Sequence, residues 1–170
     1  MSLNVHKLTF LALLSSLAVI GRIFFQFIPN VQPVSVIIII AGFLLGPYSA
    51  LLLAVVSAYL SNLVLGMGLW TIWQILAWGL IGLIAGSFKL YKWKKPLFPL
   101  MIYSFFAAYI YGLILDVGTF LYAGKFWPYF LASLPFSTLH ALGNIVFMIL
   151  LFPVISKLFY SDRAKRLLGK

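Results

Sequence analysis

Few residues in this chain can do chemistry, and they cluster. Arg22 and Gln26 are four apart, as are Trp70 and Gln74, with Trp78 four further on, and Tyr59 and Asn62 are three apart, so each set shares one helical face. Asn30 and Gln32 follow the first set, Trp73 stands beside Gln74, and Asp116, Tyr122 and His140 come later. Amides and a few charges beside aromatic rings suit recognition: the apolar body of a ligand supplies affinity and the polar groups fix its orientation. The expected substrate-binding set is therefore Arg22, Gln26, Asn30, Gln32, Tyr59, Asn62, Trp70, Trp73, Gln74, Asp116, Tyr122 and His140.

Catalysis is a poor fit. With no cysteine, thiol chemistry, disulfides, iron–sulfur clusters and cysteine-based metal sites are excluded. Asp116 and Asp162 are the only acidic residues, which all but removes paired-carboxylate mechanisms. His140 and Asn144 are four apart, with Ser137 and Ser133 continuing the face. A histidine so placed reads as a hydrogen-bonding strut rather than a metal ligand. Asp116, His140 and a serine can be drawn as a triad, yet no nucleophile elbow or zinc motif accompanies them. The expectation is no catalytic residue, no metal and no cofactor.

The elements that position these residues follow from composition. Of 170 residues, 64% are hydrophobic and 8% charged, against roughly a quarter charged in a soluble domain. Apolar runs extend over Leu8 to Ile28, Val34 to Leu45, Tyr48 to Leu65, Trp70 to Phe88, Leu97 to Tyr122 and Pro128 to Phe159, separated by Pro29-Asn30, Gln32-Pro33, Gly46-Pro47, Gly66-Met67-Gly68, the basic segment Lys89 to Pro96, and Gly124-Lys125. Lacking the period-2 alternation of a barrel, these runs must pair their backbone groups internally as helices. The predicted fold is an all-α membrane protein, a bundle of six transmembrane helices forming one integral membrane domain over residues 1–170. The second run is short for a span and reads as a tilted, partly buried or re-entrant helix. Met1 to Ile20 has the look of a signal peptide, but with no small-x-small cleavage site and an apolar run continuing to Phe27, a retained first helix fits better.

A net charge of +10 would suggest nucleic acid in a soluble protein; here the basic residues flank the apolar runs and set topology. All of the twelve except Arg22 and Lys125 fall on one side if both termini are cytoplasmic and the helix count is even. The candidate binding residues other than His140, with Thr71, Lys125 and Trp127, then gather at the outer ends of the helices. Trp127 and Tyr129 read as interface anchors, whereas Gln74, Asn62 and Gln26 gain nothing from a headgroup belt and point to a cavity. Arg22 and Asp116 lie at similar depth and leave two compatible readings, an ion pair clamping the first helix to the fifth or a pair lining a cavity. Small residues mark close packing at Ala12 and Ser16 and along Gly79, Gly82 and Gly86.

The segment Arg22 to Pro33, ending Ile-Pro-Asn-Val-Gln-Pro, then the Gly42 to Pro47 turn, Asn62, and the run from Trp70-Thr71-Ile72-Trp73-Gln74 to Gly86 resemble the substrate-binding S components of energy-coupling factor (ECF) transporters, most of all their cobalamin-specific members. The resemblance implies a multi-pass cell-membrane protein that captures a vitamin, here cobalamin, at its outer face. It also implies partnership with an ECF module, a transmembrane coupling subunit plus two cytoplasmic ATPases, and a toppling motion that releases substrate inside. Ala12 and Ser16 match the small-residue motif that meets the coupling subunit, with serine where the usual motif has a second alanine. The chain has no P-loop and cannot itself hydrolyse ATP. An S component for another small vitamin, a solitary secondary carrier and a small intramembrane enzyme using Asp116, His140 and Arg22 remain the alternatives, although no titratable relay or inverted repeat supports the carrier.

Overall fold

A computed structural model of the chain describes residues 5–91 and 93–161. The basic residues Lys92, Arg163, Lys165, Arg166 and Lys170, which the topology reading uses, and Asp162 lie outside the described residues. The rest form helices α1 (Val5–Phe24), α2 (Val34–Leu45), α3 (Pro47–Leu65), α4 (Trp70–Ser87), α5 (Leu97–Ala123) and α6 (Phe126–Tyr160), with a short 3-10 turn at Phe88–Tyr91. All but α2 are long and apolar enough to cross a membrane, so the chain is a multi-pass membrane protein.

Helix α2 explains the weak second run. Its 12 residues rise about 18 Å, well short of a hydrocarbon core of about 30 Å. Every one of them except Phe43 is buried, and all five other helices pack against it. A helix apolar on all sides belongs in such a centre. Its solvent is protein, and the length needed to span lipid does not apply to it.

Close approach makes that burial possible. A Cβ on Gly42 of α2 would stand 2.7 Å from the carbonyl oxygen of Gly82 and 3.0 Å from the amide nitrogen of Gly86, both on α4. The glycine stripe of α4 is thus a seat for α2. The other helices turn large side chains outward, among them Leu13, Leu17 and Ile20 on α1 and Leu142, Val146 and Ile149 on α6, as lipid contact requires.

Two helix limits differ from the apolar runs. Helix α1 ends at Phe24 rather than Ile28, because the chain must bend toward α2: Asn30 takes a left-handed φ of 57° and Pro33 packs against Gly21. The unwound stretch that results, residues 25–33, lies across one end of the bundle. Helix α6 starts at Phe126 rather than Pro128, since proline costs nothing in a first turn whose amides have no helical partner. It continues past Pro135 and Pro153 for 35 residues, about 52 Å, which exceeds the hydrocarbon thickness.

Candidate functional site

Helices α1, α3 and α5 finish where α2, α4 and α6 begin, and a cavity of about 500 Å³ opens at that end. Its buried part is made by Arg22 of α1, Gln74 of α4 and Tyr111 of α5; one wall is the α5–α6 seam with Asp116, Ser133 and Ser137; its rim is Gln26, Asn30 and Gln32 from the unwound stretch. Phe25, Ile28, Val31, Leu65, Leu115 and Phe136 supply apolar surface. Six of the expected binding residues, Arg22, Gln26, Asn30, Gln32, Gln74 and Asp116, therefore share one hollow.

The polar side chains are held by separate networks. Arg22, 9% exposed, donates from Nη1 to Ser61 Oγ at 2.6 Å, and its guanidinium carbon stands 5.1 Å from the centre of the Trp78 ring. The Ser61 hydroxyl in turn donates to the carbonyl oxygen of Ser57 at 2.6 Å. On the facing wall, Ser133 donates to Asp116 Oδ2 at 2.6 Å. The two charged residues thus take different partners, and the ion-pair clamp between α1 and α5 is not formed.

Gln74 is oriented from behind. Asn62, fully buried on α3, donates from Nδ2 both to Gln74 Oε1 at 2.8 Å and to Thr71 Oγ1 at 2.9 Å. With its oxygen accepting from Asn62, Gln74 has its amide N–H groups left to present to the cavity, which it lines together with Tyr111. Asn62 itself does not line the hollow.

His140 also acts from behind. Ser35 Oγ lies 2.9 Å from His140 Nε2 and accepts a hydrogen bond from Trp78 Nε1 at 2.9 Å. The imidazole meets Tyr111 edge-on at 5.2 Å, and Trp78 also packs against Tyr111, at 5.0 Å. This buried group fixes the two rings beneath the cavity; His140, expected among the binding residues, does not line the hollow and serves as a hydrogen-bonding strut behind it.

The remaining expected residues lie elsewhere. Tyr59, Trp70 and Tyr122 are exposed; Trp70 covers Gly68, and the Tyr122 hydroxyl lies 3.3 Å from Thr119 Oγ1. Trp73 packs its ring on Gly118 of α5 and tightens the α4–α5 contact. The structure does not bring these four into the cavity, because a ring near a helix end can serve the lipid interface or a helix contact equally well. Conversely Tyr111, Ser133 and Ser137 line it without having been singled out as binding residues. The Ser133–Ser137 stripe was visible in the spacing, but that it faces Asp116 is a tertiary fact. Ala12 and Ser16 are exposed on the outer side of α1, away from the cavity.

Such a hollow can orient a ligand by hydrogen bonds and hold it by apolar contact. A family model described as "ECF transporter, substrate-specific component" matches residues 6–159. No curated protein and no solved structure matches the chain.

Proposed function

This chain belongs to the substrate-specific component family of ECF transporters, and we propose that the cavity between α1, α4, α5 and α6 is its capture site for a vitamin taken from the outer face of the cell membrane. The observation that carries this reading is convergence. Four helices and the unwound stretch after α1 aim Arg22, Gln74, Tyr111, Asp116, Ser133 and three rim amides into one hollow, whose volume falls within the roughly 300–1,000 Å³ usual for ligand sites. With the rim outside, the basic ends of the helices and both termini are cytoplasmic.

The protein acts by binding. ATP hydrolysis belongs to two partner ATPases, coupled through a transmembrane subunit that docks on the exposed face of α1 at Ala12 and Ser16, and toppling of the bundle turns the cavity inward. Cobalamin is the substrate best matched to the chemistry of the cavity: a corrinoid is edged with carboxamides, and Gln26, Asn30 and Gln32 at the rim and Gln74 below it present complementary amides. The substrate is the protein's one small-molecule ligand, and the chain carries no resident cofactor. One observation favours a second reading, a smaller vitamin. A cavity of about 500 Å³ encloses a drug-sized molecule, whereas a corrinoid must leave part of its body beyond the rim.

Equilibrium binding to the purified chain, with cyanocobalamin set against a panel of small vitamins, separates the two. Saturable binding of cyanocobalamin without turnover supports the first, and binding of a small vitamin alone supports the second. Uptake by vesicles holding this chain and no ATPase contradicts the capture role and identifies a secondary carrier.

A further inference from the structure

Arg22 poses a physical problem that the cavity answers. A guanidinium in a membrane-spanning helix is costly unless paired or hydrated, and breaking or omitting its counter-charge leaves that cost in place. Arg22 is 9% exposed, its partners are one serine hydroxyl and the Trp78 ring, and neither carries a negative charge. Asp116 is the only carboxylate among the described residues, and it is bonded to Ser133 across the cavity. Ser61 takes one of the five guanidinium N–H groups, and the side chain lines the hollow beside the amide of Gln74 and the hydroxyl of Tyr111. Three donors therefore meet at the buried end with no acceptor of matching charge.

We propose that Arg22, with Gln74 and Tyr111, forms an anion subsite that takes a singly charged oxygen-bearing group of the substrate, a carboxylate or a phosphodiester. The inference rests on the capture role proposed above and narrows it: the ligand enters with its anionic group toward Arg22, and Asp116 Oδ1 receives a donor, such as an amide N–H, on the opposite wall. A carboxylate comes from a small acidic vitamin. A phosphodiester comes from the nucleotide loop of a corrinoid. A purely cationic or neutral substrate leaves Arg22 uncompensated and is disfavoured.

The test uses fragments, so that it does not depend on which vitamin is transported. Ligand-observed NMR on the purified full chain compares benzoate with neutral benzamide, and dimethyl phosphate with neutral trimethyl phosphate. The wild-type protein is expected to bind one or both anions roughly tenfold or more tightly than the neutral partner. Arg22→Gln is expected to lose that preference and Arg22→Lys, which keeps the charge, to retain part of it, with a thermal melt of each variant reporting its folding. Preference for dimethyl phosphate indicates the corrinoid source, and preference for benzoate the acidic vitamin. Equal binding of charged and neutral members by the wild type, or a preference that survives in Arg22→Gln, overturns the subsite. Anion preference without binding of any vitamin leaves the subsite standing and removes the capture role instead.

Discussion

Asn62 on α3 and Gln74 on α4 are joined by a buried hydrogen bond of 2.8 Å from amide nitrogen to amide oxygen, and only Gln74 touches the cavity. The bond decides which end of the glutamine a ligand meets. Asn62 turns the Gln74 oxygen toward α3, which leaves the amide N–H groups to face the cavity.

Asn62→Leu should therefore weaken binding although residue 62 makes no ligand contact. Loss of one oriented amide costs about 1–1.5 kcal/mol, or about tenfold in Kd. Gln74→Leu should cost at least as much, and the double variant should cost little more than Gln74→Leu alone, since coupled residues are not additive. Calorimetric titration with cyanocobalamin, or with the vitamin that the wild type binds, measures all three. Full additivity would show that Asn62 acts independently of Gln74.

Packing of the central helix gives a second expectation. Gly42→Ala drives a methyl group onto the backbone of α4, where neither Gly82 O nor Gly86 N can move aside. Overpacking of this kind costs about 1–3 kcal/mol, and the thermal midpoint in detergent should fall. Gly79→Ala is the control: its Cβ would meet only the terminal methyl of Leu51, at 2.9 Å, a flexible group that can rotate away. That variant should melt at or near the wild-type temperature.

How much of this was legible in the sequence depends on what each signal encodes. Hydropathy and the Gly and Pro junctions located the helices, because lipid forces every backbone amide into a helical bond. The same signals could not tell whether Val34 to Leu45 spans or is enclosed, since an all-apolar run fits either. Helical spacing put Arg22 and Gln26 on one face, but α1 ends at Phe24, and it is the unwound stretch after it that brings Gln26 to the cavity beside Arg22. Spacing could not say that Asn62 stands behind Gln74, that Trp73 packs on Gly118, or that Arg22 and Asp116 bind Ser61 and Ser133 instead of each other. Periodicity reports a face and a depth, while the identity of the neighbour is set by how the helices rotate.

The α5–α6 seam can be checked covalently, helped by a chain that has no cysteine of its own. A Cβ at position 112 would lie 3.5 Å from that of Ser137, at the short edge of the roughly 3.5–4.5 Å spacing found in disulfides. Gly112→Cys combined with Ser137→Cys should cross-link under mild oxidation, detected by mass loss of two hydrogens or by blocked alkylation. Free thiols after oxidation would contradict this facing of Gly112 on α5 and Ser137 on α6.

The outer face of α1 gives a prediction about assembly. Ala12 is exposed and remote from the cavity, so Ala12→Trp should leave ligand affinity within about twofold of wild type. The same change should abolish co-purification with the coupling subunit and the ATPases. Unaltered recovery of the complex would remove this face from the interface.

Native mass spectrometry of the chain, purified from membranes of cells supplied with a vitamin mixture, tests the capture site most directly. One retained vitamin is expected per wild-type chain, and none on a folded Gln74→Trp variant, whose indole would occupy the buried end of the cavity. An empty wild-type protein, or the same bound mass on both, would contradict it.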